Sequence, residues 1–231
     1  MGRHADRRSH RSGRAPTTER GATDLVDVRD VGVSYGDVAA LRGVSFSAHP
    51  GDFVAVTGHS GAGKTTLLHA IAGIVRLASG EIDLGAGRDT ARDPAAVAII
   101  PQGNGLASVL TAYENVLAPL RARGYDPVEA AERATAALGS VGLGDSGTHL
   151  VEELSGGQQQ RAAVARGLAI DAGLLLADEP TSELDHDNRE RILDLIRARA
   201  DAGGIVIMTT HDPEAAQRAD RVIELDDGLV V

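Results

Sequence analysis

The stretch from Gly58 to Thr66, which reads GHSGAGKTT, carries the clearest chemistry in this sequence. It fits G-x-x-x-x-G-K-[ST], a pattern whose glycines let backbone N–H groups approach and surround a phosphate. Lys64, the chain's single lysine, is expected to reach the β- and γ-phosphates, and the Thr65 hydroxyl to bind Mg²⁺. The residues expected to contact the nucleotide here are Gly58, His59, Ser60, Gly61, Ala62, Gly63, Lys64, Thr65 and Thr66.

The segments on either side of this loop have the periodicity that the pattern requires. Phe53–Val56 is a short apolar run that predicts a strand, and Leu67–Ala72 predicts a helix. The helix N-terminus adds partial positive charge at the phosphate site. The alternative is a glycine-rich turn that matches by accident, and the strand-loop-helix context argues against it.

Two acids follow a second predicted buried strand, Leu174–Ala177. In an open α/β sheet, ligands bind outside the carboxyl ends of the strands, which predicts Asp178 and Glu179 beside the phosphate loop. Asp178 suits a Mg²⁺-linked acid, and Glu179 a general base for an attacking water. The alternative is an acidic strand end that faces solvent.

A third element, Leu154–Gln158 (LSGGQ), precedes a predicted helix and so offers another anion-binding helix N-terminus. One nucleotide already occupies the first loop. A second phosphate site in the same chain is understandable if it serves a neighbouring subunit.

Together, the three elements resemble the ATP-binding subunit of an ABC transporter, and the resemblance extends from about Leu25 to Val231. It implies ATP and Mg²⁺ as ligands. It also implies an α/β fold of the P-loop NTPase class: an ABC-type ATPase core over residues 23–231 with an antiparallel β subdomain and a helical insertion at about 105–155.

The resemblance assigns roles to further residues. Tyr35 matches the aromatic residue that stacks on adenine, with a core tyrosine as the alternative. Gln102 matches a residue that senses Mg²⁺ and the attacking water, and His211 one that contacts the γ-phosphate, with a structural histidine as the alternative. Asp185 ends a segment that crosses the dimer interface. The segment that clasps the γ-phosphate of the partner subunit's ATP is Ser155, Gly156, Gly157 and Gln158.

The same resemblance implies partners. Because the phosphate loop and LSGGQ belong to different halves of each site, a head-to-tail dimer is expected, a homodimer in the first instance and a heterodimer as the alternative. A membrane permease with transmembrane helices is the other partner, which places the chain at the cytoplasmic face of the membrane as a peripheral subunit. LSGGQQQR and LADEPT look like the ATPases of lipoprotein-releasing, macrolide-efflux and cell-division systems.

Composition and charge narrow the function classes. The 231 residues are 42% hydrophobic and contain no cysteine, so a core without disulfides is expected. No apolar run approaches the roughly 18 residues of a membrane helix, so any membrane role must come through a partner. The first 20 residues carry a net charge of +4. Because the whole chain carries −10, the remaining residues carry −14. This acidic body argues against general nucleic-acid binding. Residues 1–22 are predicted to be a disordered Arg-rich tail, either simply solvated or in contact with anionic lipid.

Periodicity predicts alternating strands and helices and therefore a mostly parallel sheet. The expected elements are a strand pair within 25–35, β structure at 44–46 and 53–56, a turn at Ser79-Gly80, strands at 81–84, 96–100, 174–177, 205–208 and 222–225 (the last), and helices at 111–122, 128–141, after 157, at 188–200 and at 213–219. Thr111 to Glu114 fits a capping box.

Two other functions stay open on the sequence. One is a non-transport ABC ATPase that acts as a cell-division or regulatory scaffold. The other is a phosphate-loop enzyme of another class, such as a kinase, against which Leu154–Gln158 argues strongly. A neighbouring reading frame for a multi-span permease would favour transport over the scaffold.

Overall fold

The computed structural model describes residues 26–85 and 97–231, and the predicted N-terminal tail lies outside these ranges. The strands are β1 (Val26–Tyr35), β2 (Val38–Ala48), β3 (Phe53–Thr57), β4 (Ser79–Asp83), β5 (Val97–Ile100), β6 (Leu174–Asp178), β7 (Ile205–Thr209), β8 (Arg221–Asp226) and β9 (Leu229–Val230). The α-helices are α1 (Lys64–Ile71), α2 (Ala112–Ala122), α3 (Pro127–Ser140), α4 (Gly156–Ala169), α5 (His186–Asp201) and α6 (Pro213–Ala216). Within the described ranges, no helix has both the length and the apolar character to cross a membrane.

The larger sheet confirms the predicted α/β class. Its order is β5-β6-β7-β3-β8-β9, and every neighbouring pair is parallel except the β8–β9 hairpin. The prediction that 222–225 would be the last strand was wrong, because Asp227-Gly228 turns the chain back into β9. That turn matters for the site, since it lies against the phosphate loop.

The smaller sheet is antiparallel, in the order β2-β1-β4. The strand pair predicted within 25–35 was wrong: β1 is one strand with a bulge at Asp30, where φ is 48° and the backbone N–H donates to Ser45 Oγ at 2.8 Å. The turn predicted at Ser79-Gly80 was also wrong. These two residues begin β4, and Gly80 is needed because a Cβ there would lie 2.3 Å from the carbonyl oxygen of Arg29.

The parallel strands are buried on both faces, which explains their continuous apolar runs. Successive side chains alternate between two cores, as in β6, where Leu174 and Leu176 join one and Leu175 and Ala177 the other. One core lies against α1 and the antiparallel sheet, and the other against helices α2 to α5.

The helices between β5 and β6 begin with the capping box that the sequence predicts. The Thr111 side chain accepts from the backbone of Glu114, and the Glu114 carboxylate accepts from the backbone of Thr111, so α2 begins at a fixed point. Helices α2 and α3 pack on each other and on α4. Helix α4 therefore connects this helical layer with the parallel sheet.

Candidate functional site

The phosphate loop joins the end of β3 to the start of α1. Gly58, Gly61 and Gly63 have φ values of 139°, 87° and 105°, conformations that side chains with a Cβ disfavour. Gly63 is the N-cap of α1 and makes no side-chain cap, so the first N–H groups of the helix stay available to an anion.

Lys64 lies across this loop and is largely buried. Its Nζ donates to the carbonyl oxygens of Gly58 at 2.7 Å and His59 at 3.1 Å. An ammonium held this way needs only a small side-chain movement to exchange carbonyl oxygens for phosphate oxygens. The geometry suits the phosphate-binding role that the sequence predicts.

A cavity of about 570 Å³ opens over the loop and brings most of the predicted residues together. Strands β3, β6 and β7 all end here, as the rule about carboxyl ends predicts. Ala40 of β2 also lines the cavity, and the sequence analysis did not single it out. The predicted residues that line it are Ser60, Gly61, Gly63, Lys64, Thr65, Thr66, Gln102, Asp178, Glu179 and His211.

Asp178 has the arrangement expected of a metal ligand. Its Oδ1 accepts from the hydroxyl of Thr209, whereas Oδ2 is buried and has no hydrogen-bond partner among the described residues. A buried, unpartnered carboxylate oxygen is costly unless something binds it. With Thr65 and Gln102 on the same cavity, the oxygen donors fit Mg²⁺, which takes carboxylate and other oxygen ligands.

Glu179 follows in a left-handed conformation, with φ of 49°, and its carboxylate contacts His211, whereas that of Asp178 contacts Thr209. Its Oε2 lies 2.9 Å from Nδ1 of His211 and 3.4 Å from the backbone N of the same residue. The carboxylate is nearly buried, while the His211 side chain is 67% exposed. A buried acid paired with an exposed imidazole at the cavity wall can accept a proton from a bound water.

The LSGGQ segment lies outside that cavity. Ser155 caps α4: its side chain accepts from the N–H of Gln158, whose amide oxygen accepts from the N–H of Ser155. Gly157 allows close approach of the segment after β6, since a Cβ there would lie 3.2 Å from the carbonyl oxygen of Glu183. A Cβ on Gly156 would meet only the end of the Glu183 side chain, which can move. Gly157 thus has a packing reason in addition to the predicted anion-binding one.

Two other predicted residues also lie apart from the cavity. Tyr35, at the β1–β2 turn, is 53% exposed, so it is not the core tyrosine that was the alternative. Asp185 is the N-cap of α5, and its bond from the backbone N–H of Asn188 holds the pKa of Asp185 below its usual range. The roles of both residues toward nucleotide and partner stay predictions.

His59 connects the phosphate loop to the turn after β8. Its Nδ1 lies 2.7 Å from the carbonyl oxygen of Ser60, and its Nε2 lies 3.2 Å from Asp226 and 3.5 Å from Asp227. The Ser60 carbonyl, and after it the two carboxylates, raise the pKa of His59 above its ordinary value. When it is protonated, the ring can form ion pairs with both carboxylates and so hold the loop against the hairpin.

This raised pKa predicts how stability depends on pH. A group whose pKa is higher in the folded state stabilises fully below its unfolded value, about 6.5 for histidine, and loses that effect as pH rises through the folded value. Wild type should therefore melt at a higher temperature than His59→Gln near pH 5.5, and the gap should shrink as the pH rises through and above the unfolded value of about 6.5. Thermal melts of both proteins test this, and a gap independent of pH would contradict it.

The sequence analysis missed two residues that hold the acids in place. Thr209 stands opposite Asp178 in the β6–β7 register and donates to it. Gln160 of α4 reaches the backbone of Glu179 at 2.8 Å. Thr209 had a signal, a hydroxyl at the end of a predicted strand, but the pairing of β6 with β7 was not available from the sequence. Gln160 had none.

Comparison with known proteins adds a family to this geometry. The profile of the family described as ABC transporter matches residues 41–182. Among curated proteins, the chain is 42% identical over 210 residues to an uncharacterised ABC transporter ATP-binding protein of Mycobacterium tuberculosis, covering 86% of this chain and 64% of that protein. It is 39% identical over 222 residues to a pyoverdine export ATP-binding/permease protein of Pseudomonas fluorescens, covering 90% and 34%.

Solved structures agree with the sequence comparison. The dimeric structure of MJ0796, a bacterial ABC transporter cassette, matches with a TM-score of 0.82 and 32% identity over 89% of this chain and 96% of that chain. A dimeric post-hydrolysis state of the same cassette, bound to ADP and Pi, matches with a TM-score of 0.81. The chain spans less than two thirds of the curated relatives' length and nearly all of the cassette.

Proposed function

Because this chain belongs to the ABC transporter family of ATP-binding domains, whose members are ATPases, we propose that it is the peripheral ATPase subunit of an ABC transporter. It binds and hydrolyses MgATP as a head-to-tail dimer and drives a membrane permease of the efflux or mechanotransmission type. The observation that carries the proposal is the cavity that unites Lys64, Thr65, Asp178, Glu179 and His211.

The chemistry follows from these side chains. The phosphates lie on the loop N–H groups and on Lys64, with Tyr35 on adenine. Glu179 takes a proton from a water whose oxygen attacks the γ-phosphorus, and the bond from that phosphorus to the bridging oxygen breaks, which releases ADP and phosphate. Lys64, His211 and Ser155 of the partner subunit stabilise the charge that develops on the γ-phosphate.

The cavity contains oxygen ligands of the kind that Mg²⁺ prefers. Thr65, Gln102 and Asp178 would hold the ion, with the buried Oδ2 of Asp178 as the clearest acceptor. When bound, the ion neutralises phosphate charge. The chain's own residues meanwhile hold the carboxylate in place through Thr209.

The position of LSGGQ supports the dimer. Ser155 and its neighbours do not line the chain's own cavity, so a phosphate that they bind belongs to another subunit. The likeness to MJ0796 in dimeric structures is further support. A homodimer would have two identical sites, and a heterodimer is the alternative.

An apolar groove supports the permease partner. About 580 Å³ in volume, it lies between β5, α2 and α4, and its lining includes Val97, Ile99, Pro101 and Pro119. Pro101 precedes Gln102, which lines the ATP cavity, so an apolar segment of a permease held in this groove would contact the chain beside its nucleotide site. The acidic body disfavours nucleic acid as a partner, which is consistent with a protein partner. The proposed location is the cytoplasmic face of the membrane, where the chain is a peripheral subunit. Export as the direction is supported by the pyoverdine export relative.

Co-purification tests the transporter proposal. Tagged Glu179→Gln chain, expected to hold ATP without hydrolysing it, is isolated from native membranes with MgATP, and its partners are identified by mass spectrometry. A protein with several membrane-spanning helices is the expected partner, absent when the untagged chain is used. Recovery of only soluble or division-apparatus proteins would contradict transport and favour the scaffold alternative.

A further inference from the structure

Gln160 is a buried polar side chain in α4 whose amide makes three hydrogen bonds outside its own helix, two with backbone and one with a side-chain hydroxyl. The residue is 6% exposed. Its Nε2 donates to the carbonyl oxygen of Glu179 at 2.8 Å and to the hydroxyl oxygen of Ser182 at 3.2 Å. Its Oε1 accepts from the N–H of Glu183 at 2.8 Å. One side chain thus joins both ends of the segment that follows β6.

The residue that Gln160 holds has an unfavourable backbone conformation. Glu179 is a side-chain-bearing residue at φ of 49°, in the left-handed region that such residues rarely adopt. A conformation of this kind persists only when its surroundings fix it. The N–H of Glu179 donates to Thr209 O at 3.2 Å and to Thr209 Oγ1 at 3.1 Å, which fixes one side of the residue.

The carbonyl group of Glu179 is held by Gln160. Besides the Gln160 amide, the carbonyl oxygen of Glu179 accepts from Ser182, whose N lies at 3.3 Å and whose Oγ lies at 3.2 Å. Ser182 lies in the same turn as Glu179, so its bonds to Glu179 do not connect that turn to another element. Among the described contacts of this carbonyl, Gln160 is the one that comes from a separate helix.

We propose that Gln160 is a positioning residue for hydrolysis, which holds the backbone of Glu179 so that its carboxylate faces the attacking water. This inference rests on the proposed ATPase function and deepens it. The N-cap of helix α4 is Ser155, the residue proposed to bind the partner subunit's ATP. Gln160 therefore ties the element that contacts one nucleotide to the base that acts on the other.

The chain contains a matched control on the same helix. Gln159 also donates to two carbonyl oxygens, those of Val151 at 3.0 Å and Leu154 at 3.1 Å, and neither belongs to the segment after β6. Replacement of Gln159 by methionine makes the same change of side chain and removes two amide-to-carbonyl contacts. Gln160→Met removes one such contact, the bond to the Ser182 hydroxyl and the bond from the Glu183 N–H. Gln159→Met leaves the backbone of Glu179 untouched.

The test compares steady-state ATP hydrolysis of Gln160→Met, Gln159→Met and the wild-type chain, each checked for folding by its melting temperature. Gln160→Met is expected to lower kcat about 10- to 100-fold, as misplacement of a catalytic group by about 1 Å does, with KM for ATP within about twofold of wild type. Gln159→Met should keep the wild-type kcat. A folded Gln160→Met protein with wild-type kcat would overturn the proposal, and so would an equal loss in Gln159→Met.

A second variant covers the case in which Gln160→Met does not fold. Gln160→Glu keeps the size of the side chain and the acceptor for the Glu183 N–H, but its carboxylate cannot donate to the Glu179 carbonyl. It too should lose kcat at unchanged KM, and a wild-type kcat would overturn the proposal. Absence of hydrolysis by the wild-type chain would instead overturn the proposed function itself, which keeps the two failures distinguishable.

Discussion

The Glu179→Gln protein is expected to lose ATP hydrolysis by about 100-fold or more, the usual contribution of a general base, while it still binds MgATP. The amide has the shape of the carboxylate and can keep the contact with His211, whose Nδ1 lies 2.9 Å from Oε2. It cannot accept a proton from water. The ground-state site is therefore preserved, and the loss falls on the chemical step.

Phosphate release and the binding of a fluorescent ATP analogue, measured on the same preparation, separate these two effects. Glu224→Gln is the matched control, because Glu224 is an exposed acid on β8 and does not line the cavity. It should hydrolyse ATP at the wild-type rate. Hydrolysis by Glu179→Gln at the wild-type rate would show that another group accepts the proton.

The part of the site that could be predicted is the part that depends on local pattern. The phosphate loop needs only its glycines, Lys64 and a following helix. The acids after β6 needed only the rule that parallel strands end at one edge, which holds whatever the order of the strands. In fact β7 lies between β6 and β3, and His211, which follows β7, lines the same cavity as Glu179 and the loop.

What could not be predicted depends on contacts between distant parts of the chain. Gln160 is one of three consecutive glutamines, and only the fold determines which of them reaches the segment after β6. The left-handed conformation of Glu179 has no signal in its residue type. The capping role of Ser155 and Gln158 did have a local signal, the S-x-x-Q pattern, which the anion-binding interpretation left unused.

The hairpin after β8 is another feature that distant contacts define. Its backbone lies against the phosphate loop, with the N–H of Gly228 donating to the carbonyl oxygen of Ala62 at 3.0 Å. Sequence reasoning ended the sheet at β8 and so gave the loop no neighbour on this side. The consequence is that some positions in the loop require glycine because the hairpin packs against them, as well as because a phosphate binds there.

Gly58→Ala is accordingly expected to destabilise the nucleotide-free protein by about 3 kcal/mol or more, which lowers Tm by about 6–12 °C for a chain of this size. Two causes add. The backbone has φ of 139°, and an added Cβ would lie 2.2 Å from the carbonyl oxygen of Leu225 on β8. That neighbour is backbone in a paired strand, so it cannot move aside as a flexible side chain would.

Gly61→Ala is the matched comparison, because it shares the loop and a positive φ, 87°, but has no atom within 4 Å of the added Cβ. Only conformational strain remains, about 1 kcal/mol, or about 2–4 °C in Tm. The melting temperatures of both variants are measured without nucleotide. The difference between them gives the cost of the contact with β8, because conformational strain is common to both. If the two variants have the same melting temperature, the contact with β8 does not constrain the loop, and Gly58 serves nucleotide binding alone.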